Sequence, residues 1–453
     1  RRRLPSFGVQ VLIGLVLDVV LGLVTLYAAR RGGASETSRK LIHILVGNWV
    51  FITPMFTSLW ALMVVPSCFV VINLISCKHK LFPAMEREGD GYGTVYYAVS
   101  MLVLPAAAFL LDWPTLSFVG LLIMAYGDGL AAIVGKRCGR RHPFPFAREK
   151  SLEGSLTLAA VSFAVTFIAL ILLQGQGALR AASIPMALLI AALTAAFATF
   201  VELTGKAGCD NLSLPLCAGI FATLCLQFGD LGHLMFLLAC LAILLVAFRQ
   251  RVITPDGMVA ALLTGQTLYA LGGSWLGMAL LAFFVLGSAV ARLKNDTKTR
   301  AEQLQGPGGA RNWKQVLANS LPASVLVWFV FVGGKPQLVL PALAVFAAAT
   351  ADTFASELGM LTASPVFSIL GGKPIPRGLS GGISWLGLGA GITGSALLSL
   401  FAFPQFGMKG FVLCTLLGFA GAMIDSLLGA LFQAKYASPD GELQEIPPFS
   451  GAA

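Results

Sequence analysis

The stretch Ile123-Met-Ala-Tyr-Gly-Asp-Gly-Leu-Ala-Ala-Ile-Val-Gly-Lys-Arg-Cys-Gly-Arg-Arg-His142 runs from an apolar segment into a basic loop, and it decides how the chain is organised. Its carboxylate, Asp128, stands between two glycines inside the apolar segment. Removing an acid from water is costly, so an acid in such a segment indicates a functional site. A second acid of this kind, Asp352, follows another apolar run. The sequence therefore predicts two active sites, one in each half.

The composition is that of a membrane protein. Only 11% of the 453 residues are charged and 57% are hydrophobic, with a mean hydropathy of +0.82. Soluble domains average about 25% charged residues. A helix that crosses a bilayer needs about 20 mostly apolar residues, because every backbone N–H and C=O must be paired within the membrane. The predicted fold class is all-α, a polytopic transmembrane helical bundle.

Apolar runs long enough to form such helices recur along the whole chain. We expect about fifteen spans. They cover residues 9–29, 41–56, 58–76, 94–111, 115–135, 155–174, 182–203, 212–228, 231–248, 256–272, 274–291, 315–333, 337–358, 382–404 and 410–432.

Basic residues mark one face of the predicted bundle. The formal net charge is +10, and the cationic loops, such as residues 136–150 and 292–314, are separated from one another by pairs of spans. Basic loops are retained in the cytoplasm. The candidate reactive residues lie in or beside these loops, so we expect an integral membrane protein with active sites on the cytoplasmic face. No basic domain suited to nucleic acid is present, and no nucleic-acid partner is expected.

A faint internal repeat divides the chain. Asp128 is followed seven residues later by Gly135, and Asp352 seven residues later by Gly359. The boundary falls near Arg249, so two fused membrane domains are expected. The predicted parts are an N-terminal transmembrane helix at 1–34, membrane domains at 35–249 and 250–436, and a tail at 437–453.

Cations and acids cluster at the span ends of the first half. The cations and the histidine suit a polyphosphate, because positive groups stabilise transferring phosphoryl oxygens, although interfacial snorkelling and a positive-inside loop remain alternatives. Carboxylates and an amide supply hard oxygen ligands for a divalent metal such as Mg²⁺. The phosphate candidates are Arg39, Lys40, His43, Lys136, Arg137 and Lys150. The metal or nucleotide candidates are Asp128, Glu153, Glu202, Asp210 and Asn211.

These residues fall in motifs that resemble a known family. Arg39-Lys-x-x-His43, Gly127-Asp-Gly-Leu-Ala-Ala-x-x-Gly-Lys136, Lys150-Ser-x-Glu-Gly154 and Asp210-Asn-Leu-x-x-Pro215 are similar to motifs of the phytol kinase and dolichol kinase group. The resemblance covers about residues 35 to 230. It implies a CTP-dependent kinase that acts on the hydroxyl of a long isoprenoid alcohol.

The second half carries its own set of polar residues. Asp352 and Glu357 lie five apart near a helix end, and Asp425 lies inside an apolar run, where a metal or cation partner is expected. The glycine-rich segment Gly378-Leu-Ser-Gly-Gly382 suits phosphate binding through backbone N–H groups. A polar loop and the residues after it supply the remaining phosphate candidates, which are Lys294, Arg300, Asn312 and Lys314, together with Ser380 of the glycine-rich segment.

The second half resembles a different family, the phytyl-phosphate kinases. The similarity rests on Thr254-Pro-Asp-Gly257, Ala351-Asp-Thr-x-Ala-Ser-Glu-x-Gly359, Gly378-Leu-Ser-Gly-Gly382 and Ile424-Asp-Ser-Leu-Leu-Gly-Ala-x-x-Gln433. The motif Arg311-Asn-Trp-Lys-Gln-Val-Leu-Ala-Asn319 is also similar, but it is followed by Ser320, where the resemblance implies a glycine. The resemblance implies transfer of a second phosphoryl group onto an isoprenyl monophosphate.

The combined interpretation is a bifunctional membrane kinase that uses CTP and Mg²⁺. Asp128, Lys136, Lys150 and Glu153 are the catalytic candidates of the first site, and Asp352, Glu357 and Asp425 those of the second. Metal candidates are Asp128, Asp210, Glu202, Asp352 and Asp425. Expected partners are the isoprenoid alcohol, its monophosphate, a nucleoside triphosphate and membrane lipid.

Two alternatives stay open at this point. A cytidylyltransferase that makes a CDP-linked lipid would use similar cations and metal, but it would release pyrophosphate where a kinase releases CDP. A lipid or small-molecule transporter is also typical of many spans with internal repeats. Against a transporter, the polar residues cluster at one predicted face and not at mid-bilayer.

Overall fold

The computed structural model describes residues 6–32, 36–79, 92–205, 208–305, 309–361, 364–437 and 443–445. Its contacts divide the chain into two compact units, which we call unit 1, Arg1–Asp230, and unit 2, Leu231–Ala453. Residues 1–5 and most of the expected tail at 437–453 lie outside the described residues. Both units are helical bundles.

In its described residues, unit 1 contains nine α-helices, one 3₁₀ segment and one π-helical turn. The helices are α1 Phe7–Gly32, α2 Glu36–Gly47, α3 Leu59–His79, α4 Gly93–Leu111, α5 Pro114–Leu122, α6 Gly129–Cys138, α7 Leu152–Leu172, α8 Ile184–Thr204 and α9 Asp210–Phe228. A 3₁₀ segment covers Asn48–Met55, and a π-helical turn covers Ile123–Asp128.

Unit 2 contains the remaining helices and two small antiparallel strand pairs. The helices are α10 Leu231–Arg249, α11 Pro255–Gly272, α12 Ser274–Ala291, α13 Asp296–Gln305, α14 Trp313–Gly333, α15 Val339–Gly359, α16 Trp385–Ser399 and α17 Phe403–Phe432. Strand β1, Phe367–Ser368, pairs with β2, Gly382–Ile383, and β3, Tyr436–Ala437, pairs with β4, Leu443–Gln444. Short 3₁₀ segments cover Pro336–Leu338 and Leu400–Ala402.

The expected all-α polytopic membrane fold is confirmed. Eleven segments in the described residues are long and apolar enough to cross a membrane, where about fifteen spans were expected. One of the eleven, Trp385–Phe432, contains both α16 and α17, which the sequence predicted as separate spans. Gly407, at φ +62° and ψ −161°, breaks the helical path near the start of α17.

The predicted span 41–56 differs most from the structure. The chain there forms the 12-residue α2 followed by the 3₁₀ segment Asn48–Met55, which contains Pro54. Twelve α-helical residues extend only about 18 Å, short of the roughly 30 Å hydrocarbon core. The apolar run was therefore correctly placed, but it is not one continuous spanning helix.

The outer faces of the long helices are apolar. Trp60, Leu172, Met235 and Leu416 all have relative exposures between 58% and 73%. Large apolar surface of this kind is disfavoured in water and is expected where a helix faces lipid.

Glycines set the closest helix contacts of unit 1. A Cβ on Gly120 of α5 would lie 2.4 Å from the carbonyl oxygen of Pro215, and one on Gly219 would lie 2.4 Å from that of Leu116. Small residues at such crossings let two backbones approach, as is typical of helices that pack in lipid. Helix α9, which begins at Asp210, is held against α5 in this way.

Helix α15 is the centre of unit 2, since it packs against α12, α14, α16 and α17. Its alanines and the glycines opposite allow this packing: a Cβ on Gly394 would lie 3.0 Å from the carbonyl oxygen of Thr350, and one on Gly418 would lie 2.6 Å from Ala347 Cβ. Asp352 lies in the last two turns of this buried helix.

The boundary between the units lies before α10. Helix α10 packs against α11 within unit 2, whereas the sequence grouped this segment with the first half and put the boundary near Arg249. The apolar run carries no charged residue between Leu231 and Phe248. Nothing in its sequence therefore indicated which bundle it joins, because that depends on tertiary packing.

Candidate functional site

A cavity of about 340 Å³ in unit 1 collects most of the residues predicted for the first site. Its wall is formed by α2, α3, α4 and α6, by the loop before α7 and the first turn of α7, and by the ends of α8 and α9 that face this loop. The predicted residues that line it are Arg39, Lys40, His43, Asp128, Lys136, Lys150, Glu202, Asp210 and Asn211. Residues far apart in sequence thus form one polar chamber.

Asp128 lies at the centre of the first cluster. Its side chain is buried, and Lys40 Nζ lies 2.5 Å from its Oδ2. His43 Nε2 lies 4.0 Å from the same oxygen. Lys40 and His43 are three residues apart on α2, so they project from one helical face. The buried acid is therefore charge-balanced by a lysine from another helix.

A π-helical turn delivers Asp128 to this position. The turn Ile123–Asp128 interrupts the helix between α5 and α6. Single π-helical turns inside α-helices are frequently found at functional sites. The glycine that follows lets α2 approach closely, because a Cβ on Gly129 would lie 2.7 Å from Ile44 Cγ1.

Tyr97 of α4 holds His43 in place. The two rings are stacked with centroids 3.9 Å apart, and the Tyr97 hydroxyl donates to the His43 carbonyl oxygen at 3.0 Å. Tyr97 lines the same cavity. The sequence analysis missed this residue, because a tyrosine in an apolar run carries no charge or motif signal of its own.

Lys150 forms the second cluster. Its ammonium contacts the Glu202 carboxylate, and it lies 3.8 Å from Asp210 Oδ2. Burial opposes the charged form of Lys150, but the neighbouring carboxylates outweigh this effect and raise its pKa above the ordinary value. Lys150 therefore remains a cation throughout the neutral range.

Asn211 connects two helices at the edge of the cavity. Its side-chain amide donates to the Gly93 carbonyl oxygen at 2.9 Å, and Ser100 Oγ donates to the Asn211 carbonyl oxygen at 2.8 Å. These bonds fix the first turn of α9 against α4. Asp210, the preceding residue, is thereby held facing Lys150.

Two predicted residues of the first half lie outside this lining. Glu153 accepts hydrogen bonds from the backbone N–H groups of Arg140 and Arg141, at 3.1 and 3.4 Å, so it fastens the basic loop to the start of α7. Arg137 is exposed at the end of α6. Neither contributes to the cavity wall described here.

The donor set of unit 1 fits a magnesium ion held together with phosphates. Among the described residues, no group of three or more His, Cys, Asp or Glu side chains forms a metal cage. Magnesium, however, typically binds one or two carboxylates and completes its shell with waters and substrate phosphates. Glu202 and Asp210 converge on one cationic group, Lys150 Nζ, and are the two carboxylates that could hold such an ion.

A second cavity, of about 230 Å³, lies in unit 2. It is lined by Asp352 of α15 and Asp425 of α17, and by the segment Gly378–Gly382, which includes Ser380. Arg377, which was not among the predicted site residues, also lines it. The structure therefore brings two of the predicted acids and the glycine-rich segment into one chamber.

Other residues predicted for the second site have different positions. Glu357 pairs with Lys298 at 2.5 Å, and this fully buried lysine also donates to the carbonyl oxygens of Ala291 and Leu293. The pair attaches the start of α13 to α15. Asn312 caps α14 by accepting from the N–H groups of Lys314 and Gln315. Lys294, Arg300, Asn312 and Lys314 do not belong to the cavity lining described above.

The chain resembles several known membrane proteins. Over 190 residues it is 33% identical to the phytol kinase of Synechocystis sp., a match that covers 42% of this chain and 78% of that protein. It is 30% identical over 215 residues to probable phytol kinase 1, chloroplastic, of Glycine max, covering 43% of this chain and 67% of the relative. It is 34% identical over 200 residues to an uncharacterized membrane protein of Methanocaldococcus jannaschii, a match that covers 44% of this chain and 82% of the relative.

A family model described as Integral membrane protein DUF92 matches residues 238–446, which include the whole region 250–436 where a second family was expected. No solved structure matches the chain.

The apolar helical bundles and these matches define an integral membrane protein. Over part of its length the chain belongs to the phytol kinase family. The resemblance to the phytol kinase group that the motifs predicted is thereby confirmed.

Proposed function

We propose that the chain is a membrane kinase that phosphorylates an isoprenoid alcohol of the phytol or geranylgeraniol type in unit 1, with CTP as phosphoryl donor. The observation that carries the proposal is the convergence of Lys40, Asp128, Lys150, Glu202 and Asp210 on one cavity. The relatedness to phytol kinases supports the choice of substrate class.

The cavity has the two chemical characters that such a reaction requires. Ile42, Val46, Phe69 and Met101 supply apolar surface beside the charged groups. An isoprenoid chain would lie along this apolar part, with its hydroxyl near Asp128. The nucleotide phosphates would lie among the cations, which favours active sites on the cytoplasmic face, where CTP is available.

The side chains of unit 1 supply positioning and charge for the transfer. The alcohol oxygen attacks the terminal phosphorus, the bond to the bridging oxygen breaks, CDP leaves, and Asp128 takes the hydroxyl proton. Lys40, Lys136 and Lys150 bind phosphate oxygens, which is the main demand of phosphoryl transfer on a protein. Glu202 and Asp210 would hold Mg²⁺, which would neutralise phosphate charge when bound.

We further propose that unit 2 phosphorylates the isoprenyl monophosphate to the diphosphate with a second CTP. Its cavity supports this step because it combines two carboxylates, Asp352 and Asp425, with Arg377 and the glycine-rich segment. Carboxylates suit a magnesium ion and the opposite groups suit phosphate.

The test is a product analysis with two matched variants. Purified protein is incubated with labelled CTP, Mg²⁺ and geranylgeraniol, and the lipid products are separated. Asp128→Asn should lower alcohol phosphorylation at least about 100-fold, because a general base typically contributes 10²–10⁴-fold, while supplied monophosphate is still converted. Asp352→Asn should make monophosphate accumulate. Asp112→Asn and Asp296→Asn, at exposed acids outside both cavities, should behave like wild type.

Each alternative has a distinct outcome. Release of pyrophosphate instead of CDP would indicate a cytidylyltransferase, and lipid flux into vesicles without nucleotide consumption would indicate a transporter. Loss of both activities in Asp128→Asn would reject two independent sites. A normal diphosphate yield from Asp352→Asn would reject the role given to unit 2.

A further inference from the structure

The glycine-rich segment of unit 2 is held in a fixed shape between two helices. Gly378 and Gly381 have φ values of +95° and +82°, which L-residues with a side chain rarely adopt. A Cβ on Gly378 would lie 2.5 Å from the Ala301 carbonyl oxygen of α13, and one on Gly381 would lie 2.3 Å from Ala430 Cβ of α17. The segment therefore presents its backbone N–H groups in a defined arrangement.

One of these N–H groups already holds an anion. The Ser380 backbone N–H donates to Glu445 Oε1 at 2.6 Å. Glu445 directly follows β4, whose pairing with β3 forms a small hairpin after α17, and β4 contacts α13. A hydrogen bond from a backbone N–H to a carboxylate is among the stronger kinds, since one partner is charged. A half-buried carboxylate from a separate segment thus sits on the loop predicted to bind phosphate.

Arg377 supplies a second hydrogen-bond donor in the same cavity, and part of its guanidinium is not hydrogen-bonded in the part of the chain that the structure describes. Arg377 donates through Nη2 to the Ser364 carbonyl oxygen at 2.9 Å. Its Nε is buried and, within the described residues, makes no hydrogen bond. Arg377 and Ser380 both line the cavity that contains Asp352 and Asp425. The loop end of the cavity therefore has more hydrogen-bond donors than one carboxylate can satisfy. Such a set of donors suits an anion with several oxygens.

We propose that Arg377 and the segment Gly378–Gly382 form a subsite for a phosphate monoester or terminal phosphate, and that Glu445 engages the Ser380 N–H of this subsite when no phosphate is bound. A phosphate at this position displaces Glu445 and with it the β3–β4 hairpin. The inference deepens, and rests on, the proposed function of unit 2. The phosphate can come from the isoprenyl monophosphate or from the nucleotide, and the experiment below distinguishes the two.

The first measurement is ligand binding to the full chain in lipid nanodiscs without catalysis. Inorganic phosphate, geranylgeranyl monophosphate and CTP are titrated separately in the absence of Mg²⁺. Glu445→Gln removes the competing charge with little change of shape, so it should tighten binding of the phosphate that uses this subsite about tenfold. Arg377→Gln should weaken binding by a similar factor. The matched control Asp296→Asn, an exposed acid of α13, should bind like wild type.

The second measurement follows the hairpin itself by hydrogen exchange. Saturating phosphate should speed exchange at residues 436–437 and 443–445 in wild type, because the ligand replaces Glu445. In Glu445→Gln the same region should exchange fast without ligand. Equal affinities of wild type and Glu445→Gln, or a hairpin that stays protected at saturation, would overturn the proposal.

The two proposals fail in different ways. If Glu445→Gln tightens phosphate binding but no variant forms diphosphate, the subsite stands and the kinase role of unit 2 is rejected. If diphosphate forms while Glu445→Gln leaves binding and KM for the monophosphate unchanged, the kinase role stands and the competition is rejected. Tightening seen only with CTP assigns the subsite to the nucleotide, and tightening seen only with the monophosphate assigns it to the lipid substrate.

Discussion

Lys150 shows how one cation can organise two acids in the wall of a cavity. Its side chain is 29% exposed, while that of Glu202 is 7% exposed. Removing one member of a buried ion pair leaves an uncompensated charge, which costs more than the pair contributes when intact. Lys150 is therefore expected to matter for stability as well as for phosphate binding.

Lys150→Met should destabilise the protein by about 2 kcal/mol, less than for a fully buried pair because Lys150 is partly exposed. The double variant Lys150→Met/Glu202→Gln should recover part of this loss, since no unpaired carboxylate remains at position 202. Thermal unfolding in detergent measures the loss in the single variant and the recovery in the double variant. Lys335→Met, at an exposed turn, is the control and should leave the melting temperature unchanged.

The pH dependence of this effect follows from the raised pKa of Lys150. A base whose pKa is higher in the folded state contributes its full stabilisation below its unfolded pKa, about 10.5, and loses it as pH rises through the folded value. The difference in melting temperature between wild type and Lys150→Met should stay constant from about pH 6 to pH 9. A difference that already disappears by about pH 8 would contradict the raised pKa.

Single residues of the first site were largely predictable, but their pairings were not. Asp128, Lys150 and Asp210 were found because charged residues are rare in apolar sequence. The contact between Lys40 and Asp128 joins residues 88 positions apart, so it depends on how α2 packs against α6. In unit 2, the same limit explains why Glu357 was grouped with Asp352 and Asp425 as a catalytic candidate: its partner Lys298 is buried by tertiary packing that the local sequence pattern does not report.

At the scale of elements, the close crossing of α5 and α9 positions the acid and amide at the start of α9. The crossing depends on Gly120 and Gly219, each of which faces a carbonyl oxygen of the other helix. Any side chain there must push the helices apart. The effect would extend to Asp210 and Asn211, because they belong to the same rigid helix.

Gly120→Ala should lower the free energy of unfolding by about 1–3 kcal/mol, the usual cost of overpacking. It should also reduce alcohol phosphorylation, because the first turn of α9 moves away from Lys150. Gly389→Ala is the matched control, since a Cβ at this helical glycine of α16 meets no atom within 4 Å. Equal melting temperatures for Gly120→Ala and wild type would show that the crossing tolerates separation.

Helix positions were more predictable than helix continuity. The apolar runs located the long helices, because length and hydropathy are local properties of sequence. The π-helical turn at Ile123–Asp128 and the 3₁₀ segment at Asn48–Met55 were not foreseen. Both segments depart from the regular α-helical hydrogen-bond pattern and depend on packing against neighbouring helices. The hydropathy of an apolar run does not reveal such departures.

At the scale of the whole molecule, the chain consists of two bundles that each contain a charged cavity. The sequence suggested this division from its faint repeat and from resemblance to two families. It did not determine which bundle holds α10. Under the proposed function, the product of unit 1 is the substrate of unit 2, and this intermediate is itself a membrane lipid.

Complementation between variants tests this arrangement. Asp128→Asn and Asp352→Asn proteins should each fail to convert geranylgeraniol to the diphosphate, but both together in the same vesicles should restore it, because the monophosphate diffuses in the bilayer. The same proteins in separate vesicles serve as the control and should restore much less. No recovery in shared vesicles would mean that the intermediate passes only within one chain.

The contact between Lys40 and Asp128 has a consequence for the idle enzyme. A carboxylate that already holds an ammonium at 2.5 Å is a weak proton acceptor. Under the proposed function, the nucleotide phosphates would draw Lys40 away and leave Asp128 able to take the proton of the alcohol. The base is therefore masked in the free protein and is released only when the nucleotide binds, so we expect Asp128 to accept a proton only in the nucleotide-bound state.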